Sequence, residues 1–79
     1  MSPTVFREGS YRFFFFSREE ARAHIHVASS EGEVKFWVDP TVELAVNDGL
    51  AEREVRLVAR IVERRRDEIL SAWRRHFGS

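Results

Sequence analysis

Apolar residues recur along this chain with two different periods. Up to about residue 38 they come in short β-prone runs or alternate with polar ones, the period-two signature of strands. Residues 3–7 (PTVFR) read as a short strand suited to a sheet edge, where proline is tolerated. Glu8-Gly9-Ser10 supplies a turn. The aromatic run at residues 11–17 is strongly β-prone. Residues 17–23 are polar and read as a loop or a single helical turn. Residues 24–28 alternate, Ser29-Ser30-Glu31-Gly32 forms a second turn, and residues 34–38 make the strand that follows. Short connections favour an antiparallel meander.

Asp39-Pro40 changes the signal. Asp is a preferred helix N-cap and Pro is favoured at the first helical position. The pattern therefore predicts a short helix over residues 40–46, stopped by Asn47-Asp48-Gly49. A longer helix is expected over residues 52–75. Leu50 and Val55 are spaced as a hydrophobic staple around an N-cap at Ala51, and Glu54 stands where the acidic half of a capping box belongs. Ala51 has no side-chain oxygen to supply the other half. Val55, Val58, Ala59, Val62, Ile69, Trp73 and Phe77 fall on one stripe, and Arg66 falls inside it. At about 1.5 Å per residue such a helix is about 36 Å long. A domain of this size has a radius of gyration near ~12 Å. The helix would span the whole domain or project past it, and a projecting apolar end carrying Trp73 and Phe77 would call for a partner or self-association.

The expected class is α+β: an antiparallel sheet of three to four strands packed on a short helix and a long C-terminal helix, in a single domain over residues 1–79. Alternation places Ile25, Val27, Val34, Phe36 and Val38 toward the helices. It leaves His24, His26, Lys35 and Trp37, with Arg12 beside them, on the open face. Phenylalanines occupy both faces of the second strand, so at least one Phe pair must join that open face.

Composition narrows the function classes. Seventy-nine residues allow one thin core. The absence of cysteine excludes a disulfide framework, a thiol nucleophile and a cysteine zinc site, and favours the cytoplasm. The longest apolar run, Phe13 to Phe16, is too short to cross a membrane, and no signal peptide is seen. Thirteen basic residues, twelve of them arginine, balance thirteen acidic ones. The first 49 residues carry a net −3 and the last 30 a net +3. A neutral total argues against nonspecific polyanion binding.

His24-Ile25-His26 is the most informative local motif. Its imidazoles project the same way, about 7 Å apart by strand rise. One chemistry they suit is metal-independent RNA cleavage. One His would deprotonate a ribose hydroxyl, the other would protonate the leaving oxygen, and Lys35 or an arginine would stabilise the phosphorane. Metal binding would need more ligands, and Glu31, Glu33, Asp39 and His76 lack diagnostic spacing. No metal or other cofactor is expected. The same aromatic, histidine and arginine residues also suit a protein interface, and ordinary surface histidines are the plainest alternative. The glycines are isolated, so there is no phosphate loop, and there is no serine elbow. Glu19-Glu20 is an adjacent pair and a weak acid–base candidate.

The segments PTVFR, Arg12-Phe13-Phe14-Phe15-Phe16-Ser17, His24-Ile25-His26-Val27 and Lys35-Phe36-Trp37-Val38-Asp39-Pro40, with a late Trp73, occur in this order. Together they resemble a short prokaryotic family catalogued as domain of unknown function 4160. Ala23 stands where the family usually has proline, and Ala51 where it usually has a Ser or Thr cap. The family carries no established activity. The resemblance implies genes lying beside another very short gene, as in a toxin–antitoxin pair. The expectation is a partner-binding protein whose candidate residues are His24, His26, Lys35, Trp37, Arg12 and Arg66. A small protein is the first candidate partner and RNA the second.

Overall fold

The computed structural model describes residues 4–16 and 21–78. Five strands come first: β1 (Thr4–Glu8), β2 (Tyr11–Phe14), β3 (His24–Ala28), β4 (Glu33–Trp37) and β5 (Glu43–Asp48). Two helices follow, α1 (Glu52–Arg64) and α2 (Arg66–Phe77). The strands form one antiparallel sheet in chain order, so the expected α+β meander is the fold. Pro3 of the anticipated first strand and the Glu19-Glu20 pair lie outside the described residues.

Register decides the faces. Phe13 stands opposite Val27, which stands opposite Val34; Ile25 stands opposite Phe36. These residues, with Phe15 and Val38, are buried against Val58, Ile61, Val62, Ile69, Leu70 and Trp73 of the helices. Fully burying a Val, Ile or Phe side chain contributes about 1.5–3 kcal/mol, so this layer carries most of the stability. Phe14 stands opposite His26, and His26 opposite Lys35, on the other face. The ambiguity of the phenylalanine run is thus resolved: Phe13 and Phe15 enter the core under the helices.

The short helix expected over residues 40–46 does not form. Most of that segment is β5, paired with β4 from Glu33↔Asp48 to Trp37↔Glu43. A cap preference is worth about 1 kcal/mol. An isolated helix shorter than about 12 residues is marginal without a packed face. Pairing with the otherwise bare edge of β4 satisfies the same backbone, and β-branched Val46 suits it. The sheet has five strands for this reason. Asn47, read as a helix stop, instead brackets Leu50: its Nδ2 donates to the Leu50 carbonyl (2.9 Å) and its Oδ1 accepts from the Leu50 amide (3.1 Å).

The long helix is also divided. Arg65 (φ −107°, ψ 21°) interrupts it, and α2 buries Ile69, Leu70 and Trp73. Trp73 is buried, and the longest dimension of the molecule is 33 Å. Of the two expected arrangements, the projecting end with an exposed Trp73 is therefore not the one that forms. Three arginines hold the bend. Arg64 and Arg65 both donate to the Glu8 carboxylate, and Arg65 also pairs with Glu68 (2.9 Å) and lies 3.4 Å from the centre of the Phe6 ring. Arg66 donates from Nε to the Val38 carbonyl (2.7 Å) and from Nη2 to that of Pro40 (2.9 Å). Its place inside the apolar stripe is a backbone anchor.

One corner is backbone against backbone. A Cβ on Gly32 would overlap the Asp48 carbonyl oxygen, and one on Gly49 would stand 2.7 Å from that of Glu31. Gly49 also has φ +106°, which a side chain disfavours.

Candidate functional site

The site begins with β3. Its alternation sends His24 and His26 to the face away from Val58 and Val62, beside Trp37 and Lys35 of β4 and Phe14 of β2. That much follows the sequence. The openness does not: His24 is 0% and His26 7% exposed. Phe16 closes over His26 with ring centres 4.3 Å apart, and Phe14 lies 5.5 Å away. Trp37 and, from the last helix, Trp73 cover His24 at 5.5 and 5.0 Å. Period two reports which side a residue takes. It does not report whether neighbouring aromatics fold over that side.

The histidines are held in different ways. His24 Nδ1 lies 2.8 Å from the Arg22 carbonyl oxygen, which can only accept, so this nitrogen carries a proton and donates. His26 Nδ1 lies 3.7 Å from the Glu33 carboxylate. The rings meet edge to face with centres 5.1 Å apart. Among the described residues no group of three His, Asp or Glu side chains gathers to hold a metal ion.

Above this buried layer lies a layer of cations. Arg12 is 4.5 Å from the centre of the Phe14 ring, Arg22 is 4.5 Å from that of Trp37, and Lys35 is 4.4 Å from the same ring. Thr4 accepts from Arg12 Nε (2.7 Å), and Arg22 donates to the Asp39 carbonyl (2.9 Å) and pairs with Glu43 (3.0 Å). Trp37 remains only partly buried. The outer surface is therefore an array of oriented cations on aromatic rings.

A family model for a domain of unknown function, DUF4160, matches residues 10–74. The chain belongs to this family. The match begins after β1, so the PTVFR segment precedes it. No curated protein and no solved structure matches the chain.

In this DUF4160 domain five of the six candidate residues, Arg12, His24, His26, Lys35 and Trp37, share one face of the sheet. Arg66 is apart from them, committed to the carbonyls after β4. Arg22 escaped notice in the sequence because a lone arginine in a loop has no periodic signal. Its position over Trp37 depends on the chain returning from β2 to β3. Phe14 and Phe16 were visible as candidates for this face, but their closure over His26 was not.

Proposed function

We propose that this DUF4160 chain is a cytoplasmic partner-binding component of a two-gene module of the toxin–antitoxin kind. A small protein partner docks on the cation-covered aromatic face of the sheet. The observation that carries this reading is Trp37, half-buried, with Arg22 and Lys35 lying on its ring beside Arg12 on Phe14. Tryptophan and arginine are the residues most enriched among binding hot spots. Cation–aromatic pairs strengthen to about 2 kcal/mol when a partner excludes water from them. No described helix is long and apolar enough to cross a membrane, so that route to function draws no support from the helices.

The alternative reading, a ribonuclease with His24 and His26 as acid and base, demands more of this face. Both imidazoles would have to be uncovered for a ribose phosphate to reach them, and His24 Nδ1 already donates to a carbonyl. A base stacking on Trp37 would have to displace a cation.

Co-purification from the native host with an N-terminal tag tests the proposal, with both protein and RNA measured in the eluate. The expected result is a stoichiometric small protein encoded beside this gene, lost on Trp37→Ala while circular dichroism stays unchanged. Growth inhibition by one member should be relieved by the other. A bare homo-oligomer would overturn the proposal. So would RNA alone, and cleavage of it lost in His24→Ala or His26→Ala would install the ribonuclease reading.

A further inference from the structure

The two edges of the sheet are finished differently. At β1 the large apolar side chain is covered: Phe6 stacks on Phe13 with centres 4.4 Å apart and lies beneath Arg65. At β5 it is not. Val46 is 53% and Leu44 46% exposed, and among the described residues no strand lies beyond them. An edge strand presents a row of backbone donors and acceptors to any extended chain, and proteins usually defend it with Lys, Pro, a bulge or a cover. β5 has a bulge, since Ala45 lies between the Leu44↔Phe36 and Val46↔Lys35 pairs, but it has no Pro and no Lys. Those pairs also put Leu44 on the helix side and Val46 on the Lys35 side. Apolar surface is therefore offered on both faces of the edge, and one of them is continuous with the cation-covered face.

The charges choose the occupant. Glu43 and Asp48 stand at the two ends of β5, and Glu33 stands opposite Asp48. Arg22 offsets Glu43 at one end. A second copy pairing antiparallel over all six residues would set Glu43 against Asp48 twice, and like charges directly opposite are destabilising. The edge is thus defended against its own copy and open to a strand of the other sign.

We propose that the outer edge of β5 accepts an extended segment of a partner protein, apolar along its middle and basic where it meets Asp48 and Glu33. This rests on the partner-binding reading and adds the chemistry of the segment bound. Main-chain hydrogen bonds would supply affinity, and the apolar and basic positions would supply selectivity.

The test uses a synthetic peptide, Lys-Thr-Val-Val-Thr-Lys, titrated into the isotope-labelled full chain and followed through backbone amide resonances. Three controls accompany it: a Glu-ended counterpart, an alternately N-methylated form, and the double variant E33Q/D48N. The expected result is shifts centred on β5, with the Lys-ended peptide about tenfold tighter than the Glu-ended one. Binding should vanish on N-methylation, and the preference should vanish in the double variant. Equal binding of both peptides, or shifts confined to Trp37 or the helices, or none, would overturn the proposal. Hydrogen exchange with a captured partner separates the two readings. A partner that leaves the β5 amides unprotected refutes the edge proposal and preserves partner binding. Peptide shifts at β5 in a chain that captures no partner do the reverse.

Discussion

On one side of the sheet Phe13, Ile25 and Phe36 lie under side chains delivered by helices from the far end of the chain. On the other, Phe14, His26 and Trp37 lie under Phe16, Arg12, Arg22 and Lys35, which belong to the strands and their connections. Both layers exclude water, but by different means. The helix cover is a close-packed interior in which every lost methylene is felt. The cation cover consists of flexible, hydrated side chains that can move aside. A partner that displaces only Phe16 and the cations leaves the helix cover in place, with Trp73 touching both Phe15 and His24.

Adjacent residues give the sharpest way to break that contrast. Phe13 and Phe14 are neighbours in sequence and lie on opposite faces, 0% and 4% exposed. Phe13→Ala should cost about 3–5 kcal/mol, because the rigid layer around it leaves a cavity. Phe14→Ala should cost about 2 kcal/mol, because Arg12 and Phe16 can collapse into the space. Urea unfolding of both variants measures the difference, and equal losses would refute two kinds of cover. A smaller effect in the opposite direction is expected at the start of the helix cover. Ala51 is the N-cap of α1 and makes no side-chain cap hydrogen bond. Ala51→Ser should add ~0.5–2 kcal/mol in the same assay without altering partner capture.

Acid should weaken the tie between β1 and the junction of the two helices, where Glu8 pairs with Arg64 and Arg65. The hydrogen bond from Arg64, followed by that from Arg65, holds the Glu8 carboxyl below its usual range against the opposing pull of burial. A depressed carboxyl stabilises the fold above its unfolded-state pKa, and this contribution is lost as pH falls through the folded-state value. Thermal midpoints should therefore fall with acid below the usual carboxylate range, and Glu8→Gln should flatten that dependence. An identical slope in wild type and variant would remove Glu8 from the account.

The first four strands and the start of α1 were legible because each carries its own local signal. Alternation marks His24–Ala28, turn residues bound it, and a staple precedes Glu52. β5 was hidden because Asp39-Pro40 resembles a helix start, and only the neighbouring edge of β4 favours a strand. The break at Arg65 has neither Gly nor Pro to announce it. It is fixed by Glu8, fifty-seven residues earlier in the chain, and by carbonyls beyond β4. The candidate face was legible as a side and illegible as a surface. Its cover depends on Phe16, Arg22 and Trp73 arriving from three separate segments.

The approach of Gly32 to Gly49 also limits how this chain can be altered. The β3–β4 turn and the turn leading into α1 press together with no side chain between them, so neither can lengthen or change residue alone. Gly9, where an added Cβ would meet nothing within 4 Å, has no such counterpart, and only its φ of +60° disfavours a side chain there. Insertions, fusions and reporter labels belong at the turn between β1 and β2. Across divergent sequences, changes at the other corner should come in pairs or not at all.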